Sequence, residues 1–136
     1  MSCKIPNEIE MVEIFHNAYG CPVYAYPVLP PTERVLLREK LMREELNELC
    51  AAMQLGDKVG IVDGLCDLLY VIYGTALEHG MGGLLKEAFS EVHRSNMSKL
   101  DQDCKPIYRE DGKVLKGPYF TPPNLLNIIK KYTPSY

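Results

Sequence analysis

The chain has 136 residues, 46% hydrophobic and 24% charged, and a formal net charge of −3. That length gives one domain with one modest core, the composition is that of a soluble globular protein, and the negative balance excludes a surface built broadly for nucleic acid. No stretch reaches the roughly 18 apolar residues that suggest a membrane span, and the N-terminus, MSCKIPNEIEM, has no apolar run of the secretory kind. The five cysteines (Cys3, Cys21, Cys50, Cys66, Cys104) form no C-x-x-C pair and no zinc spacing. They are odd in number, and Cys50 and Cys66 fall within predicted helices, so they read as reduced thiols of a cytoplasmic protein.

In chain order, a first helix is predicted from about Glu8 to Tyr19, with Asn7 as its N-cap and Gly20 ending it. Residues 20–31 hold four prolines (Pro22, Pro27, Pro30, Pro31) and read as an extended loop. Thr32 caps a long helix, about Glu33 to Leu55, stopped by Gly56. Asp57 caps the next, about Lys58 to His79, stopped by Gly80, and a fourth spans roughly Gly83 to Lys99. Beyond Asp101 the texture changes. Ile107, Tyr108, Val114 and Leu115 flank Asp111-Gly112, a hairpin-turn signal. Pro122-Pro123 follows, then a short amphipathic helix from Asn124 to Tyr132. The whole chain reads as a single all-α domain of four to five helices, residues 101–136 being its C-terminal hairpin and loop extension.

Two of these helices carry acids where core residues are expected. On the second, Glu44, Glu45 and Glu48 form E-E-x-x-E; at 100° per residue they fall within about 100° of arc, among Leu37, Leu41, Ala52 and Leu55. The polar face of that helix, with Glu39, Lys40, Arg43, Asn47 and Gln54, lies elsewhere. The third helix is apolar nearly all round and reads as buried, yet Asp63 and Asp67 sit one turn apart on it. Gly60, Gly64 and Gly74 lie on the same side. Each disfavours the helix by about 1 kcal/mol against alanine, which makes sense if another helix or a ligand comes close there. A buried carboxylate without a partner costs several kcal/mol, and five together repel one another. Mg²⁺ resolves both problems, because hard cations take oxygen ligands. The alternative is salt bridges to Arg34, Arg38, Arg43 or Arg94.

These residues resemble the all-α nucleoside triphosphate pyrophosphohydrolases, the MazG-like and phosphoribosyl-ATP pyrophosphohydrolase-like superfamily, whose signature is E-E-x-x-E on one helix and E-x-x-D on the next. Glu44-Glu45-Leu46-Asn47-Glu48 matches the first half. In Asp63-Gly64-Leu65-Cys66-Asp67 the aspartate Asp67 matches, but the family's glutamate aligns with Gly64, and Asp63 supplies a carboxylate one residue earlier. A later block, Ser95-Asn96-Met97-Ser98-Lys99 followed by Asp111-Gly112-Lys113-Val114-Leu115-Lys116-Gly117, is similar to phosphoribosyl-ATP pyrophosphohydrolase-like proteins of bacteria and phages.

The resemblance implies a helical fold assembling into homodimers or homotetramers around four-helix bundles. It also implies Mg²⁺-dependent cleavage of a nucleoside triphosphate to monophosphate and pyrophosphate, in the service of nucleotide-pool housecleaning. Glu45, Glu48, Asp63 and Asp67 become metal ligands, for Mg²⁺ or for Mn²⁺ in its place, and Glu44 a further ligand or the base that orients water. A triphosphate needs cations beside such acids; Arg94, Lys99, Lys113 and Lys116 are the candidates, each with solvated surface charge as the alternative. Asn96 and Tyr73 or Tyr119 are candidates for the base, with packing the alternative for the tyrosines. Hydrolysis of phosphoribosyl-ATP is the second enzymatic reading, and a nucleotide-binding or interaction module without turnover is the reading from another class. A di-iron bundle is disfavoured, since no E-x-x-H motif is present.

Overall fold

The computed structural model of the chain describes residues 4–134. Five helices make it all-α: α1 (Glu8–Tyr19), α2 (Thr32–Leu55), α3 (Lys58–Glu78), α4 (Leu85–Met97) and α5 (Leu125–Tyr132). The strands described are β1 (Ile107–Tyr108) and β2 (Val114–Leu115), an antiparallel ribbon pairing Ile107 with Leu115 and Tyr108 with Val114. The helix starts and stops follow local chemistry. Asn7 and Glu10 form a capping box on α1, and Asp57 accepts the Gly60 amide at the start of α3. Gly20 and Gly56 end α1 and α2 in the left-handed region, at φ of 69° and 67°. Thr32 does not cap α2 as expected: it is the first helical residue, Pro31 precedes it, and no side-chain cap bond is made. α4 is shorter than expected, because residues 82–84 form a turn and Ser98 already closes its end.

The chain divides into two compact units, with the boundary between Gly83 and Leu84. In the first, α3 packs against both α1 and α2. The two-residue connection through Gly56 and Asp57 makes α2 and α3 antiparallel neighbours. Their buried contacts are Leu49 and Ala52 from α2 and Gly64, Gly74 and Leu77 from α3, while α1 contributes Val12 and His16. The expected close approach at the glycines is present. A methyl group on Gly64 would lie 3.0 Å from Leu49 Cα, and one on Gly60 would lie 3.1 Å from Ala52 Cβ. At Gly74 the neighbours are side chains, Arg38 and His16.

Two expectations need correction. α3 is not buried all round within the chain: Val59 is 77% exposed, Val62 57%, and Leu65 and Leu69 47% each. Two neighbouring helices cover only part of a cylinder. Nor does the chain lack a helix of spanning length. α3 is long and apolar enough to cross a membrane by length and composition alone. Counting uninterrupted apolar residues missed it, because Asp63 and Asp67 interrupt the run; an aspartate at the centre of a spanning helix costs about 2.5–3.5 kcal/mol.

In the second unit α5 packs on α4. Lys131 and the Tyr132 hydroxyl both reach Glu87 at 3.0 Å. Cys21, Cys50, Cys66 and Cys104 are free thiols; Cys3 lies outside the described residues.

Candidate active site

The antiparallel pairing sets which residues of α2 stand across from which of α3. Ala52 lies beside Gly60, Leu49 beside Gly64, and Arg34 and Arg38 beside Glu78. Extending that register from Leu49 toward Arg38 puts Glu45 level with Asp67, while Glu48 and Asp63 adjoin the Leu49–Gly64 contact itself. The electrostatics agree. Burial, and then the charges of Glu48, Asp67, Glu44 and Asp63 in that order, raise the Glu45 carboxyl above its ordinary pKa. Glu45 and Asp67 are half-buried, whereas Glu44, Glu48 and Asp63 are exposed.

Glu45 Oε2 is buried with no hydrogen-bond partner. An orphaned carboxylate oxygen facing four further carboxylates is the arrangement a hard divalent cation relieves, and every donor offered is oxygen. The residues present therefore fit Mg²⁺ by chemistry, although no three His, Cys, Asp or Glu side chains among the described residues converge closely enough, as they stand, to enclose an ion. The salt-bridge alternative finds no support. Arg34 and Arg38 are engaged by Glu78, Arg43 by Glu39 and Arg94 by Glu91. Of the five acids only Glu44 has a basic neighbour among the described residues, Lys40 at 3.9 Å, and both side chains are more than half exposed.

The departure at Gly64 acquires a physical reason. With Leu49 Cα 3.0 Å and Leu49 Cβ 3.1 Å from where a side chain would begin, position 64 has no room for the family's glutamate. Asp63 stands one residue earlier, exposed, and turned away from that contact.

The expected phosphate and base residues, Tyr73 apart, belong to the second unit. Arg94 is already committed. Its Nε and Nη2 donate to Glu91 at 2.9 and 2.8 Å, and its Nη1 donates to Thr121 Oγ1 at 2.7 Å. These bonds, with the Asn124 amide, hold the Glu91 carboxyl down to about 2. The two serines of the S-N-M-S-K block are structural. Ser95 Oγ donates to the Thr121 carbonyl at 2.9 Å, and Ser98 Oγ accepts the Thr121 amide at 3.0 Å. The Lys99 carbonyl accepts the Gly117 amide at 2.9 Å, which ties the end of the D-G-K-V-L-K-G block to the end of α4. Asn96, Lys113 and Lys116 remain exposed and Lys99 half-exposed; Lys116 Nζ sits 4.7 Å from the Phe120 ring centre. Tyr73 is half-buried on α3.

A cluster that sequence reasoning missed lies at the other end of the helix pair. Glu78 is fully buried and bridges Arg34 and Arg38. The signal was there: Glu78 is the next charge after Asp67 on an otherwise apolar helix.

No curated protein matches the chain. A family model does, the phosphoribosyl-ATP pyrophosphohydrolase model, over residues 12–96. The matched span holds all of α2 and α3, with both acid blocks, and most of α1 and α4. It covers more than half of the chain, and with it the all-α fold and the acid pair acquire one explanation. The chain belongs to the phosphoribosyl-ATP pyrophosphohydrolase family, within the MazG-like nucleotide pyrophosphohydrolase superfamily, and is a hydrolase acting on acid anhydrides.

Proposed function

We propose that the protein hydrolyses a nucleoside triphosphate between the α and β phosphates, with Mg²⁺, to a monophosphate and pyrophosphate. The observation that carries this reading is Glu45: half-buried, one oxygen without a partner, its pKa raised by burial and by the four other acids of the two signature blocks. Glu45, Glu48, Asp63 and Asp67 would hold the ion. When bound it offsets phosphate charge and lowers the pKa of water. Glu44 is exposed and only loosely paired, and stands at the edge of the array as the base that orients the attacking water.

The remaining phosphate charge needs cations. Lys99, Lys113 and Lys116 form no salt bridge among the described residues and suit that role better than Arg94, whose guanidinium is spent on Glu91 and Thr121. Asn96, exposed and with no side-chain hydrogen bond among the described residues, suits base or sugar recognition; Tyr73, half-buried on α3 of the first unit, is a separate candidate for stacking. The exposed apolar residues of α3 support a homo-oligomer in which a second chain covers Val59, Val62, Leu65 and Leu69. A monomer by light scattering at micromolar concentration would overturn that. Free thiols at Cys21, Cys50, Cys66 and Cys104 suit the cytoplasm.

A second reading, hydrolysis of phosphoribosyl-ATP, is favoured by the matching family itself. One panel separates the two. Ribo- and deoxyribonucleoside triphosphates and phosphoribosyl-ATP are incubated with Mg²⁺ and the products resolved. Monophosphate and pyrophosphate from one or a few triphosphates supports the first reading. Turnover of phosphoribosyl-ATP alone supports the second, and orthophosphate release rejects both.

A further inference from the structure

We propose that the buried Arg34–Glu78–Arg38 cluster is a positioning device that fixes the register of α2 against α3 and so sets how closely the carboxylates approach. The inference rests on the reading of those carboxylates as a cation site.

The cluster is unusual for a helix pair whose other buried residues are apolar or glycine. Glu78 is 0% exposed and Arg38 7%. Arg34 Nε donates to Glu78 Oε1 at 2.8 Å with its Nη2 in ion-pair contact with the same oxygen, and Arg38 Nη1 lies 3.1 Å from Oε2. Arg38 continues along α3: its Nη2 donates to the Val71 carbonyl at 2.7 Å and its Nε to Thr75 Oγ1 at 3.1 Å. Gly74 makes room, since a methyl group there would meet the Arg38 guanidinium and the His16 ring. One arginine of α2 is thus hydrogen-bonded to Val71 and Thr75 of α3 and in ion-pair contact with Glu78, over residues 71–78. Apolar ridges tolerate a slide of one helix along another; directional bonds to a buried charge do not.

Arg38 and Glu45 are seven residues apart on one helix, roughly 10 Å along its axis at 1.5 Å per residue. At the other end the contacts at Gly60 and Gly64 set separation, through Ala52 and Leu49, but they are contacts of shape rather than of bonding. Glu45, Glu48 and Asp67 lie between the two, and Asp63 lies within the glycine contacts. A shift at Arg38 therefore passes along α2 to Glu45 with little to absorb it.

The test is Mn²⁺ binding, read as loss of the free-ion electron paramagnetic resonance signal, with thermal melting of the same samples. Thr75→Val removes the hydroxyl bonded to Arg38 and keeps the shape; Thr75→Ser keeps the hydroxyl and loses a methyl. Arg38→Met with Glu78→Leu replaces the two most deeply buried charges by apolar volume, a change that leaves many proteins equally or more stable, while Arg34, whose side chain is 28% exposed, turns to water. The double variant is expected to bind Mn²⁺ about tenfold more weakly, the lower end of the loss that disturbing the outer shell of a metal site brings, with its melting temperature unchanged or raised. Thr75→Val should weaken binding to a smaller degree at unchanged melting temperature, and Thr75→Ser should bind as the parent does even where it melts lower. That opposition between affinity and stability is what a merely structural role would not give. Asp67→Asn is the control on the site itself. If Asp67→Asn loses binding while Thr75→Val and any folded double variant bind like the parent, the positioning role is overturned and the cation site stands. If Asp67→Asn binds like the parent, the cation site falls, and the positioning role with it. Should the double variant fail to fold, the two Thr75 variants decide.

Discussion

Substitution of Gly64 by alanine tests the α2–α3 packing on which the site depends. At an open position inside a helix the change stabilises by about 1 kcal/mol. Here the added methyl would lie 3.0 Å from Leu49 Cα, 3.1 Å from Leu49 Cβ and 3.3 Å from Leu49 Cδ1. The Cδ1 methyl can rotate away, but the clash with the Leu49 backbone is relieved only if the helices part. Overpacking of this kind costs about 1–3 kcal/mol, so the propensity gain is erased and the net change is a loss of roughly 0–2 kcal/mol. In thermal melting by circular dichroism that is a fall of up to roughly 10 °C for a domain of this size. Gly83, with nothing within 4 Å and an ordinary backbone angle, is the control, and its alanine variant should melt at or slightly above the parent. The Gly64→Ala variant should also bind Mg²⁺ more weakly, because separating α2 from α3 separates Glu45 and Glu48 from Asp63 and Asp67. A melting temperature raised by the full propensity gain would refute the close approach. So would a stable, active Gly64→Glu, which restores the family glutamate at a position with no space for it.

Glu48→Gln and Asp67→Asn should each abolish Mg²⁺-dependent turnover while leaving the helical circular dichroism signal intact; full activity in both would remove these residues from the site. Glu45→Gln should raise the melting temperature in the absence of divalent cation, since it removes a charge from a crowd of five, and should abolish the stabilisation by Mg²⁺ that the proposed site predicts for the parent. Glu91 gives a pH dependence with a definite sign. Arg94 and the Asn124 amide hold its carboxyl at about 2, against an ordinary 4.5. Its contribution to stability is therefore complete above pH 4.5 and lost progressively as pH falls toward 2. Acid titration of Glu91→Gln should show a shallower loss over that window, and an unchanged acid limb would exclude the pairing.

The elements were readable because each boundary carries its own chemistry: the Asn7 capping box, Asp57 on the Gly60 amide, Gly20 and Gly56 in the left-handed region. The acid pattern was readable because E-E-x-x-E and D-x-x-x-D fall at helical spacing on helices that are otherwise apolar there. Three things were hidden. The serines of the S-N-M-S-K block hold the backbone of Thr121, twenty-odd residues away; spacing along one helix cannot show a partner outside it. Arg94 looked free to meet phosphate, but Glu91 one turn earlier takes it. And the exposure of α3 could not follow from a helical wheel, which shows which residues share a face but not how many neighbours arrive to cover it.

Glu45 and Glu78 put the same problem to the same two helices, a carboxylate drawn out of water between α2 and α3, and receive opposite answers. Glu78 is enclosed completely, with one guanidinium hydrogen-bonded to it and a second in ion-pair contact. Each has one buried oxygen without a hydrogen bond, but that of Glu78 lies 3.1 Å from the Arg38 guanidinium, whereas Glu45 is enclosed in part and its charged neighbours are other acids. Arginines were available a few residues away at Arg38 and Arg43, one spent on Glu78 and the other on Glu39 at the surface. An acid whose charge is matched from within the chain is finished as a structural element. One surrounded by its own kind lacks that match, and the difference in charged partners, rather than in burial, separates the carboxylate that holds this fold from the one proposed to take a cation from outside.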